Sequence, residues 1–180
     1  MQVRFLLTIL PSPGLAAEVE RLRASLVPRI DSFSGRHNPP HITLCFADLS
    51  DENETAICEA IALGVTGHTG FTLRYSGITH FPDRRTIYID PVEKDVIATV
   101  RTPIVAALMD KETLREAIRE TDHPHLTIAA GLKPAQFERA WELLAPNAFT
   151  SEERVTEVVL LRRSLKPGTR YEHVRNFPLG

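Results

Sequence analysis

Residues 38–46 read NPPHITLCF, and residues 122–130 read DHPHLTIAA. Each sets a proline, a histidine, an apolar residue and a threonine in succession at the start of a run with strand composition. Alternate residues of a strand point to the same face. His41 and Thr43 therefore project together, and so do His125 and Thr127. Ile42 and Leu44, like Leu126 and Ile128, turn to the opposite side, where they are predicted to pack under helices. One His-x-Thr in a strand is more often a structural histidine than a chemical one. Two copies at matching places in a repeated arrangement carry far more weight.

Working outward, "VRFLLTIL" predicts a strand, and Pro13 to about Leu26 a helix with Leu15, Val19, Leu22 and Leu26 on one face. Ser12 stands as its N-cap, with proline at the first helical position. Residues 31–40 form a loop by composition, and "SDENETAICEAIAL" opens with a capping signal before an amphipathic helix. "GFTLRYSGITHF" and "RTIYIDPV" pair around a "PDR" turn. Residues 94–110 read as a helix that Pro103 kinks or breaks. The charged run "KETLREAIRETD" leads into the second motif. A helix over Pro134 to Leu144 follows, then "FTSEERVTEVVLLRRSL" and "RYEHVRNF" as closing strands. Trp141 shares helical spacing with Phe137 and Leu144 and reads as core.

After each motif the order is the same: strand, helix, then a segment opening Phe-Thr, at Phe71-Thr72 and Phe149-Thr150. Residues 1–180 are therefore read as a single domain with an internal duplication, its motifs at 41–43 and 125–127. The expected class is α+β, with two similar lobes of mostly antiparallel sheet and helices packed outside.

The composition is ordinary for a folded chain of 180 residues, with a net charge of −2 and thirteen scattered prolines. That charge gives no global reason for tight nucleic-acid binding. "MQVRFLLTIL" is too short to span a bilayer and carries Arg4. Cys45 and Cys58 have neither metal nor disulfide spacing, which suits a reducing, cytoplasmic setting. No membrane, obligate protein partner or cofactor is called for, and the chain reads as a monomer.

If the two lobes face each other about an approximate two-fold axis, two imidazoles flank one bound group with a threonine hydroxyl beside each. Acid–base cleavage of a phosphodiester requires that arrangement. One neutral His takes a proton from the attacking oxygen and one protonated His gives a proton to the departing oxygen. The hydroxyls donate to the non-bridging phosphate oxygens.

"HITL" and "HLTI", with "GITHFPDRRTIYID" between them and the closing "VVLLRRSLKPGTRYEHVRNFPL", resemble the 2H phosphoesterase superfamily, which includes the 2′-5′ RNA ligase-like RNA 2′,3′-cyclic phosphodiesterases. The resemblance spans nearly the whole chain. It implies a bilobed fold around a central cleft, no metal, His41 and His125 as the catalytic pair, and Thr43 and Thr127 on phosphate. The implied substrate is a 2′,3′-cyclic phosphate or a related 2′-5′ diester of a nucleotide or RNA end, with ligation as the reverse reaction. Two departures stand out. Ala130 occupies a place where many RNA cyclic phosphodiesterases carry arginine, and the first motif continues "CFADL" where theirs often runs to Leu-Gly. The competing class is a nucleotide- or RNA-end-binding module that keeps the cleft without turnover.

Other candidates flank the motifs. His123 shares a face with His125 in an extended segment, where it lines the cleft or orients His125; no cluster of ligands completes a metal site around it. Phe81 is placed to stack a base, and Arg84 or Arg85 to meet phosphate. Adjacent Arg162 and Arg163 face opposite ways on a strand, so at most one lines the cleft. Tyr171 matches a position where the family commonly carries an aromatic residue near the ligand. His37 sits in a Pro-rich loop and is expected to face solvent.

Overall fold

The computed structural model describes residues 1–81 and 83–180. Pro82, the first residue of the predicted "PDR" turn, lies outside the described residues. Strands are β1 (Gln2–Ile9), β2 (Ile42–Ser50), β3 (Phe71–Phe81), β4 (Thr86–Pro91), β5 (Ile118–Glu120), β6 (Leu126–Ala129), β7 (Thr150–Val155), β8 (Glu157–Ser164) and β9 (Glu172–Pro178). Helices are α1 (Pro13–Ile30), α2 (Glu54–Gly64), α3 (Lys94–Met109), α4 (Glu112–Arg115) and α5 (Pro134–Leu144).

Among the described residues the strands form one antiparallel sheet in the order β7-β3-β4-β6-β2-β1-β8-β9, with β5 added beside β2. Two four-strand halves meet at its centre, where β2 and β6 join through one registered pair, Ile42 opposite Leu126. Ile42, Leu44, Leu126 and Ile128 all enter the main core on the helix side. There α1 packs on α5 and on β6, and α2 packs on α3. Among the described residues, no helix is long and apolar enough to cross a membrane.

The α1 cap forms as the sequence predicts, the Leu15 amide donating to Ser12 Oγ at 3.4 Å. The helix runs four residues past Leu26, because Ile30 still finds a buried place on the apolar stripe. Pro103 does not break α3. Losing the hydrogen bond and adding the ring clash costs about 3 kcal/mol. Ile97, Val100, Ile104, Val105 and Leu108 are all buried, each contributing about 1.5–3 kcal/mol. Packing outweighs the proline. Helices α2 and α3 cross closely at Gly64, where an added Cβ would overlap Ile104 Cα and sit 2.9 Å from Ile104 N.

The charged run at 111–122 holds an unpredicted strand. Cys45, Phe46 and Ala47 of β2 pair with Glu120, Arg119 and Ile118 of β5, and Ile118 supplies its buried side chain. The segment 149–165 is two strands in different halves. Charged β7 forms the edge beside β3, whereas apolar β8 lies between β1 and β9. Its near-continuous apolar run fits a strand covered on both faces. The two Phe-Thr segments are neighbours in one half, with Thr72 opposite Arg154.

Candidate functional site

The two motifs lie at the seam between the halves. Around the Ile42–Leu126 pair, His41 and Thr43 flank one member and His125 and Thr127 the other. All four side chains therefore leave the sheet on the face away from the helices, and each is half-buried.

The two imidazoles are held alike. His41 Nδ1 is 2.7 Å from Pro39 O, and His125 Nδ1 is 2.7 Å from His123 O. A carbonyl oxygen only accepts, so each Nδ1 carries the hydrogen and donates it. Each neutral ring then keeps Nε2 as a free acceptor. The proline-containing turn before each motif sets this hydrogen bond, two residues back along the chain in both cases.

Both rings are held below the ordinary imidazole value of 6.5. For His41 burial is the main cause, helped by the charges of Arg23 and His125 and opposed by the Pro39 carbonyl. For His125 burial again leads, with His123 and Arg84 lowering and the His123 carbonyl and Asp90 raising. The two rings thus lie within electrostatic reach of each other.

Lower candidates divide unevenly. Phe81 stands 5.0 Å from His125 and nearly perpendicular to it, and 4.9 Å from His123. His123 Nε2 meets Tyr88 Oη at 3.1 Å. Tyr171 lies 6.4 Å from His41, edge to face, under the Arg163 guanidinium at 5.0 Å. Arg85 is exposed at the head of β4, with φ 47°, and its Nε donates to Leu132 O at 2.7 Å. Arg84 reaches over Phe81 at 5.7 Å and acts on His125. Of the pair "RR", Arg84 is the cation beside the motif histidine. Arg162 turns the other way to Glu54, so Arg163 alone of that pair shares Tyr171's surroundings. His37 is exposed, and Trp141 packs on His80 at 4.6 Å beside the core.

Sequence reasoning missed two neighbours. Tyr88 is buried, pairs with Thr127 across the β4–β6 ladder, and lies 5.2 Å from His125. Its signal was parity: Ile87 and Ile89 are core, so Tyr88 faces the motif side. Phe46 escapes simple parity, because the β1–β2 register shifts between Leu7 and Thr8. That bulge moves Phe46 off the core face into a small cluster with Leu6, Val159, Leu161 and Tyr171, under the Arg4 guanidinium at 4.7 Å. The same bulge brings adjacent Cys45 into the core, where burial pushes its thiol up to about 12. Among the described residues no group of three His, Cys, Asp or Glu is spaced to hold a metal ion.

With the geometry in place, comparison with known proteins gives the class. The model of the 2′-5′ RNA ligase superfamily matches residues 11–167, and the chain belongs to that superfamily. Solved structures share the fold at low identity. Apo E. coli LigT matches at TM-score 0.68 and 19% identity, covering 99% of this chain and 98% of its own. TT0787 of Thermus thermophilus matches at 0.68 and 19%, covering 98% and 97%. The MHV ns2 PDE domain matches at 0.58 and 14%, covering 89% and 99%. E. coli LigT has also been solved complexed with 3′-AMP, NADP+, phosphate and ATP. No curated protein matches the chain.

Proposed function

We propose that this protein is a metal-independent phosphodiesterase acting on 2′,3′-cyclic phosphates or related 2′-5′ diesters of nucleotides or RNA ends. His41 and His125 form its acid–base pair, and Thr43 and Thr127 donate to the phosphate. The observation that carries this reading is the matched tethering of both rings, each Nδ1 on a carbonyl and each Nε2 left to work. One imidazole takes the proton of the attacking water; the other, protonated, donates to the departing ribose oxygen. Run backwards, the same groups join two ends. The nucleotides named in the E. coli LigT complexes support a nucleotide-like ligand. Tyr171 and Phe81 would meet its bases, His123 would line the site, and Arg84 or Arg85 would meet phosphate. The chain is further read as a cytoplasmic monomer without cofactor, its halves derived by duplication.

A substrate panel tests this: 2′,3′-cyclic mononucleotides, RNA ends with a cyclic phosphate, and 2′-5′ oligoadenylate, each with and without EDTA. Turnover is expected to survive chelation. His41→Ala and His125→Ala are each expected to lower kcat by about 10²–10⁴-fold, the range of one general acid or base. The double variant is expected to be little worse than either, because the pair acts as a unit. Calorimetric binding with no turnover on any substrate would instead make the protein a binding module. Loss of turnover with EDTA, restored by zinc, would overturn the metal-free mechanism.

A further inference from the structure

Beyond the motifs, one buried charge touches both of them. Arg23 of α1 is 2% exposed. Its Nη1 donates to Asn38 O at 2.7 Å, its Nη2 to Thr127 O at 2.9 Å and its Nε to Ile128 O at 3.2 Å. Nη1 also meets Glu20 at 2.7 Å, and Glu20 in turn holds Arg36 at 2.8 Å. Asn38 adjoins Pro39, whose carbonyl orients His41, and Thr127 belongs to the second motif. Among the described residues β6 and β2 share the single registered pair Ile42–Leu126, so the guanidinium spans a seam with little strand pairing. A planar fork with five donors suits three fixed carbonyls, whereas an ammonium presents one point.

We propose that Arg23 is a positioning residue that fixes the separation of the two motif histidines by tying both motif segments to one guanidinium. It also holds a positive charge behind His41. The charged and titratable groups around that ring are Arg23 from α1, His125 from the start of β6 and Tyr171 from the segment before β9, with Glu20 and Arg36 flanking Arg23. Arg101 of α3 offers a contrast. It donates to Thr121 O, ahead of the second motif only, and touches neither motif residue.

The kinetic part of the test rests on the proposed phosphodiesterase reading; the rest does not. Arg23→Lys keeps the charge and loses the fork. It is expected to lower kcat by about tenfold to a hundredfold, the scale of an ångström of misplacement, with KM little changed. Amide exchange at Ile42 and Leu126 is expected to rise in the same variant, while the NMR titration of His41 stays near its original midpoint. Arg23→Met removes the charge as well, so that midpoint moves to higher pH. Arg101→Met is expected to leave the His41 midpoint where it was. Unchanged exchange at the seam in Arg23→Lys overturns the proposal, whatever the turnover. An unmoved His41 midpoint in folded Arg23→Met overturns its electrostatic part. Should the original protein prove inert on every substrate, the function fails, and the exchange and titration readouts still decide the role of Arg23.

Discussion

An imidazole whose Nδ1 is fixed on a carbonyl has one nitrogen left for chemistry, and this protein sets two such rings at one seam. Both are held below 6.5, first by burial and then by neighbouring cations. The proposed reaction calls for one ring neutral and one protonated. The alkaline limb of kcat/KM appears as the acid loses its proton. With both rings lowered, that limb is expected below the free imidazole value of about 6.5. A bell-shaped profile with its maximum on the acid side of neutrality is the expected outcome, read as two apparent values of the pair. An optimum above about pH 7.5 in kcat/KM would contradict it. At this scale the sequence was readable where strand parity held, as for His41, Thr43, His125 and Thr127. Phe46 was unreadable because a bulge changed the parity beneath it. Arg23 did leave a trace: it occupies the stripe Val19, Arg23, Leu26, Ile30, where a charge on an apolar face needs partners that only the folded chain reveals.

Elements followed local rules until packing overrode them. The apolar stripe of α1 and its Ser-Pro start were legible, and so was the β3–β4 hairpin. Proline at 103 argued for a kink or a break, and burial of the α3 face keeps the helix unbroken. Strand β5 was hidden because its three residues, Ile-Arg-Glu, carry strand identity only through pairing with β2. The α2–α3 crossing makes a sharp claim about one residue. Gly64→Ala improves helix propensity by up to about 1 kcal/mol, but the new methyl meets Ile104 backbone, which cannot swing aside. Overpacking of this kind costs about 1–3 kcal/mol or more. Net destabilisation is expected, measured as a lower urea midpoint with unchanged slope; a stabilised variant would show that the helices move apart freely.

Across the whole molecule, His41, His123 and His125 all bind protons less readily when folded than when unfolded. At a pH well above about 6.5 these rings are neutral in both states and add no pH dependence. As pH falls through 6.5 the unfolded chain takes up protons first, so stability declines toward acid. Urea unfolding is expected to show a lower free energy at about pH 5.5 than at about 7.5, with the slope reduced in His125→Ala. Carboxylates such as Asp48, lowered chiefly by its bond to Arg4, lose their contribution in the same direction at still lower pH. A flat dependence across that interval would remove the histidines from this account.

The division of residues 149–165 between the halves has a consequence for synthesis on the ribosome. The half holding His125 uses β3, β4, β6 and β7, and all its strands have been made by Val155. The half holding His41 starts earlier yet lacks β8 and β9 until residues 157–178 emerge. Until then β1, with Phe5, Leu6 and Leu7 in its middle, is an open edge able to pair with another chain. Nascent chains arrested with residues up to 155 outside the tunnel are expected to protect the β3–β4–β6–β7 amides while β1 still exchanges. The earliest of these strands in chain order is thus among the last to be closed, and a truncation just short of β8 would yield a sticky half-product.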